Sequence, residues 1–316
     1  MSLASLAQRI EKAALSCGLD QCGIIPVDDL MGFGTRLEER MEKAPASAGF
    51  YGNMARLGDI KSKYPWGKSI VVCTFDYSRY RYPRELQGRY GKSFFLSPEP
   101  GGTAGYDLTR FEKFLTETGI RWEGGNHVGF GGVGPLRYEA MKAGLGIIRK
   151  NNFFYTENGS YVSLFSYLID QPCTLIHHPN IPPCAESCTL CQKACKTKAL
   201  CAPYTLNPGN CVSFLTTFGK GNIPEHLDEG MLEEWICGCD NCQDACPYNR
   251  RHNWNAGDSF SDLEALAPRL TPEALLEQSD AFLAQRIIPK TDHHLQPEDI
   301  GVLRRNAQRA LRFREK

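Results

Sequence analysis

The chain has 316 residues, 36 basic against 36 acidic, with 42% apolar and 23% charged residues. That length and composition suit a folded globular protein of one large or two ordinary domains and exclude a disordered one. The charge balance excludes a global field drawing the molecule to nucleic acid or an anionic membrane, and no apolar run approaches spanning length.

Residues 2–19 read as an amphipathic helix, with Leu3, Leu6, Ile10, Ala13 and Cys17 at helical spacing. Arg9, Glu11 and Lys12 interrupt any apolar core there, so the stretch does not read as a signal peptide and a cytoplasmic location is expected. Residues 69–76 form a β-branched run typical of a buried strand. Residues 77–106, rich in Tyr, Arg, Gly and Pro, read as an irregular segment. Residues 107–119 are helical in pattern, with Leu108, Phe111, Phe114 and Leu115 on one face. Pro135 opens a helix that runs to Lys142 and that Gly144 closes. Residues 161–170 alternate as a strand. Mixed helix and strand over the first 170 residues predict an α/β or α+β domain. A cysteine-rich segment with little periodicity follows. The last 60 residues are helical in pattern and end on a basic helix carrying Arg304, Arg305, Arg309, Arg312 and Arg314.

The cysteine distribution carries most of the information. Of 14 cysteines, 11 lie between Cys173 and Cys246. A long chain with an ample core is not a disulfide scaffold, and clustered thiols in a cytosolic protein point to metal. The first block is Cys184-x3-Cys188-x2-Cys191-x3-Cys195, followed by Cys211; the second is Cys237-Gly-Cys239-x2-Cys242-x3-Cys246-Pro247. A zinc ribbon would use two Cys-x2-Cys pairs and leave both x3-Cys extensions and Cys211 unexplained. Eight cysteines partition into two [4Fe–4S] cubanes, and proline after the last cysteine is usual in two-cluster ferredoxins. Cys173, Cys201 and Cys237 are surplus and read as small buried residues.

The string Gly238-Cys-Asp-Asn-Cys-Gln-Asp-Ala-Cys-Pro-Tyr-Asn-Arg250, with Cys211-Val-Ser-Phe-Leu-Thr216 before it, closely resembles the epoxyqueuosine reductase family. Ala143-Gly144-Leu145-Gly146-Ile147-Ile148-Arg149-Lys150-Asn151 is similar to that family's A-G-L-G-W-I-G-K-N stretch. Arg89-Tyr90, Gly105-Tyr106-Asp107 and Leu303-Arg304-Arg305-Asn306-Ala307 add to the likeness. The resemblance implies an α+β protein. A nitroreductase-like cobalamin-binding α/β domain would span 1–172, a ferredoxin-like double-cluster domain 173–255, and a short helical segment 256–316. It implies one cluster on Cys184, Cys188, Cys191 and Cys246, and another on Cys195, Cys211, Cys239 and Cys242. It implies corrinoid contacts from Gly134, Ala143, Gly144, Leu145, Gly146, Lys150, Asn151 and Ser213. For the two glycines of the A-G-L-G stretch, a helix C-cap and tight turn is the other reading. Electrons would come from a low-potential donor such as a ferredoxin or flavodoxin and pass through the clusters to cobalt.

The sequence also departs from the family. The family's general acid is an aspartate in a D-[ST]-A-P element, and the corresponding stretch here is Gly131-Gly132-Val133-Gly134-Pro135. Glycine has no proton to give. The motif's tryptophan is Ile147 and its following glycine is Arg149. Tyr106 and Asp107 are the candidate catalytic residues, with His127, Tyr138 and Glu139 as further donors. Gly129-Phe-Gly-Gly-Val-Gly134 matches G-x-G-x-x-G but lacks a clear preceding strand, so it reads as a loop over the corrin or substrate. The segment from Tyr77 to Lys92 interleaves Arg79, Arg81, Arg84, Arg89 and Lys92 with tyrosines, and reads as a tRNA contact, a cobalamin-phosphate anchor or a solvated loop. The expectation is a cobalamin- and iron–sulfur-dependent oxidoreductase acting on an unidentified small substrate. The alternatives are a protein that reduces or handles a corrinoid for a partner corrinoid protein, and a true epoxyqueuosine reductase acting on tRNA with a relocated proton donor. No membrane partner is expected.

Overall fold

The strand β2, Ser69–Asp76, explains the architecture of the first part of the chain: all but its last residue are buried. A continuous run of Ile70, Val71, Val72, Cys73 and Phe75 requires cover on both faces. The structure, a computed structural model, describes residues 5–94, 105–128, 131–250, 253–259, 261–290 and 295–315. Helix α1 (Leu6–Ser16) is closed by a Ser5–Gln8 capping box and precedes β1 (Gln21–Pro26). Helix α2 spans Phe33–Lys43 and α3 spans Leu108–Glu117. Then come strand β3 (Trp122–Gly124), helix α4 (Leu136–Lys142), the two-residue strands β4 (Ile147–Ile148) and β5 (Phe154–Tyr155), and β6 (Val162–Ile169).

The main sheet is antiparallel in the order β1-β2-β6-β3, with Val72 opposite both Gly23 and Ser166 and Tyr167 opposite both Val71 and Gly124. Strand alternation then divides the core. Ile70, Val72 and Leu168 face a cluster built with Phe33, Leu37, Ile60, Tyr138, Ala140, Ala143 and Leu145. Tyr167, on the opposite parity, meets Phe111 of α3 edge-on at 5.2 Å.

The chain forms two compact units, one of Met1–Tyr77 with Pro98–Glu186, the other of Ser78–Ser97 with Ser187–Lys316. The composition shift at Cys173 and the end of the cysteine segment predict boundaries at 172 and 255. The units divide elsewhere because backbone pairing decides membership: Gly91 donates to the Cys237 carbonyl and Tyr82 to that of Trp254.

In the second unit α5 (Leu190–Ala194), α6 (Val212–Thr216) and α7 (Asn241–Asp244) are each one turn or little more. Its apolar cluster around the cysteines is small: Val212, Leu215, Leu232 and Trp235. The long C-terminal helix α8, Ile300–Arg314, compensates with polar anchors. Asn306 Nδ2 donates to the Thr216 and Ile236 carbonyls, and Arg309 donates to those of Glu233 and Trp235. The basic helix therefore differs from the exposed polar face its pattern suggests. Arg309 is buried, Arg304 reaches Asp280, Arg312 reaches Glu229, and Arg314 bridges Glu234 and Glu273. No helix among the described residues is long and apolar enough to cross a membrane.

Candidate functional site

Two sites emerge, one in each unit. In the second, the turns that begin α6 and α7 present the cysteines. Cys211 is the N-cap of α6; the Ser213 and Phe214 amides lie near enough to its sulfur to favour the thiolate without capping it, and the Asn241 amide favours the Cys239 thiolate in the same way. Helices α5 and α7 pack together, which brings the Cys188-x2-Cys191-x3-Cys195 run beside the Cys239-x2-Cys242 turn. Burial pushes the thiols of Cys211, Cys239 and Cys242 up, and each is raised further by the Cys195 sulfur. Cys242 also feels Cys239 and Cys211. Four sulfurs that repel one another as thiolates, two of them with backbone amides nearby, are a donor set completed by a cationic core, which removes their protons. Among the described residues no three Cys, His or carboxylate side chains converge on a single ion. Sulfurs around zinc stand about 3.8 Å apart, given a Zn–S bond of about 2.3 Å, whereas a cubane holds its thiolates wider. Eight thiolates, those of the two cysteine blocks without Cys237 and that of Cys211, are the number that two such cores take.

The surplus thiols differ. Cys237 is fully buried and its thiol is pushed far up by that burial, while Cys201 is exposed. Lys92, itself buried, bonds Asp244 at 2.8 Å and Asp240 at 3.4 Å, so the Tyr77–Lys92 segment is tied to the Cys239–Cys242 turn. Its arginines are engaged too: Arg81 with Glu264 and Arg89 with Glu234. Burial alone would raise the Glu234 carboxyl, but Arg314 and Arg89 hold it below the usual range. Composition showed these cations without showing their partners, which lie more than 140 residues away.

In the first unit, the A-G-L-G stretch is occupied by its own chain. Ala143 and Leu145 belong to the core. Gly144 has φ +71, as a helix C-cap requires, and a Cβ there would lie 1.8 Å from the His177 carbonyl oxygen. A Cβ on Gly146 would lie 2.1 Å from the Tyr155 carbonyl oxygen. Lys150 Nζ donates to the carbonyls of Ala185 and Glu186, and Asn151 Nδ2 to the Tyr155 hydroxyl. Arg149, 2% exposed, stacks on Tyr155 and sends Nη1 to Cys184 Sγ at 3.6 Å and Nη2 to the Pro182 carbonyl at 2.6 Å. Arg149 and Lys150 thus hold the segment that carries the first cysteine. The only sequence signal was an arginine where the family motif has glycine.

The candidate donors are placed as follows. Asp107 caps α3, accepting from the Arg110 amide at 2.8 Å, and Tyr106 packs between Phe75 and Phe165. Tyr138 lies against Phe33, and His127 stacks on Trp122. Glu139 is completely buried, neither carboxylate oxygen has a hydrogen-bond partner, and burial raises its pKa to about 7. The Ser166 hydroxyl is near enough to favour the ionised form slightly, yet makes no hydrogen bond. Above them runs the half-exposed loop Gly131–Gly134; Gly129 and Phe130 lie outside the described residues. These orphaned polar atoms beneath a glycine surface are what a bound group would complete.

Residues 184–249 match the family described as a 4Fe-4S double cluster binding domain. The chain is 30% identical over 262 residues to an epoxyqueuosine reductase from Leadbetterella byssophila, covering 77% of this chain and 80% of the relative. A solved epoxyqueuosine reductase holding an epoxyqueuosine-modified tRNA-Tyr stem loop superposes with TM-score 0.74 at 25% identity, over 97% of this chain and 80% of that one. A Bacillus subtilis epoxyqueuosine reductase, whose aspartate-bearing catalytic loop is swung out of the active site, superposes with TM-score 0.74 at 26% identity, over 97% and 81%.

Proposed function

The chain belongs to the epoxyqueuosine reductase family, and from that premise we propose that it reduces epoxyqueuosine in tRNA. Two [4Fe–4S] clusters carry the electrons, a role that the double-cluster match over residues 184–249 supports. One is bound by Cys195, Cys211, Cys239 and Cys242, the other by Cys184, Cys188, Cys191 and Cys246. The observation that carries the reading is the mutual repulsion of the first four sulfurs, three of them raised by burial and two of them with backbone amides nearby.

The family is cobalamin-dependent. Bound cobalamin supplies a cobalt centre that, once reduced, is a strong nucleophile and reductant. In this chain the half-exposed Gly131–Gly134 loop, with Ile147 and Ile148, is the surface offered to it. The protein's own work is to hold the clusters out of water and keep a proton ready where electrons arrive. The basic patches are engaged within their unit, so tRNA is recognised through residues other than the paired arginines of α8.

The test is conversion of epoxyqueuosine-bearing tRNA by protein loaded with iron and cobalamin under a low-potential reductant, read by mass spectrometry of the released nucleosides. Conversion of the epoxide is expected. Fully loaded, reducible protein that leaves it untouched overturns the assignment and returns the chain to corrinoid reduction for a partner.

A further inference from the structure

Counted back from Pro135, the position of the family's aspartate is Gly132. A Cβ at that residue would lie 2.4 Å from Leu136 Cδ2 and 2.5 Å from Ser166 Oγ, so the loop as folded has no room for an acid there. Two residues on, a Cβ at Gly134 would lie 2.3 Å from Glu139 Oε1. The carboxyl group of Glu139 therefore occupies the space that a side chain on the loop would have filled, and the loop is glycine where that carboxyl stands.

The surroundings of this group are specific. It is 0% exposed, and neither oxygen has a hydrogen-bond partner. From β6 only the Ser166 hydroxyl comes near, itself without a partner. The Leu57 carbonyl and an Ile60 methyl bound the same spot at Gly134. On its own helix, Arg137 is turned away to the Asn152 carbonyl, and Tyr138 packs against Phe33. A carboxylate buried without a cation or donors is costly, so this group keeps its proton well above the usual carboxylate range, up to about pH 7. A neutral acid beneath a loop of glycines is a proton stored at the surface where the family carries its catalytic acid.

We propose that Glu139 is the general acid of this enzyme, replacing the family's loop aspartate from its place directly against the backbone of Gly134. The inference rests on the reductase reading above. Reductive opening of the epoxide consumes two electrons and two protons. Both C–O bonds of the epoxide break, a C=C bond forms between its two carbons, and the oxygen leaves as water with one proton from the Glu139 carboxyl; the electrons enter through the clusters from an external low-potential donor. Solvent supplies the other proton and afterwards restores the acid.

The experiment compares wild type, Glu139→Gln and Glu139→Asp, each loaded with iron and cobalamin and matched in visible spectrum. Single-turnover conversion of epoxyqueuosine tRNA is measured alongside the infrared carbonyl band of a protonated carboxyl group at neutral pH. Glu139→Gln is expected to slow conversion at least about 100-fold while its clusters still accept electrons, with partial recovery in Glu139→Asp. The band is expected in wild type and lost in Glu139→Gln. Conversion by Glu139→Gln within a few-fold of wild type overturns the inference alone, as does a wild-type carboxyl already ionised at neutral pH. The infrared measurement decides even if Glu139→Gln does not fold. Loaded wild type that converts nothing overturns the reductase reading, and this inference with it.

Discussion

Burial pushes up both the thiols of Cys211, Cys239 and Cys242 and the carboxyl of Glu139, but the protein surrounds the two kinds of acid in opposite ways. Amides of residues 213, 214 and 241 lie near the sulfurs, and neighbouring thiols add to their repulsion. Nothing donates to the Glu139 oxygens. The first environment is unstable until a metal core drives the protons off. The second is satisfied only while the proton stays. One elementary effect, desolvation, therefore serves a metal centre in one unit and a proton store in the other.

That contrast can be broken at several points. The largest effect is expected from Cys242→Ser, which leaves three ligands for its cluster. About half the iron should be lost, together with reductase activity and much of the resistance of the cysteine-bearing turns to proteolysis, because the apolar cluster around them is small. Retention of full iron would show that this sulfur is not a ligand.

Glu139 gives the next effect. Its folded pKa of about 7 exceeds the ordinary 4.5, so the stability it contributes is present below pH 4.5 and is lost as pH rises through 7. Relative to Glu139→Gln, wild type should lose roughly 3 kcal/mol across that window, measured by denaturant unfolding at several pH values. Parallel stability curves for the two proteins would show that the carboxyl is ionised in the folded state.

Arg149→Gln sharpens the comparison on the metal side. Loss of the guanidinium from Cys184 Sγ should lower the midpoint potential of the cluster proposed for Cys184, without loss of iron. A charge-assisted hydrogen bond of about 1.4 kcal/mol corresponds to roughly 60 mV for one electron, read by potentiometric titration of the cluster's electron-spin resonance. The smallest effect belongs to Arg312→Ala. Its pair with Glu229 is half exposed, so stability should change by no more than about 0.5 kcal/mol with iron content unchanged.

Much of this molecule was legible in the residue order. The β-branched run at 69–76, the apolar helical face over 107–119 and the Pro135-to-Gly144 helix announce themselves because they depend on neighbours along the chain. The cysteine spacing likewise specifies cluster chemistry, since a short Cys-x2-Cys turn brings its own amides to the sulfur. The destination of the basic residues was not legible. Arg89 and Arg309 find their partners 145 and 76 positions away, and nothing local distinguishes an arginine that serves as a tertiary anchor from one that greets tRNA.

The sequence by itself determined the secondary elements, the family and the metal, because those are written in periods and spacings of a few residues. Only the tertiary structure decided that Arg149 and Lys150 fasten the segment bearing Cys184, that the A-G-L-G glycines pack against the chain's own backbone, and that the Glu139 carboxyl is buried without a hydrogen-bond partner against a glycine loop. Burial and the absence of a partner are properties of the whole fold around a group, and no local pattern of residues encodes them.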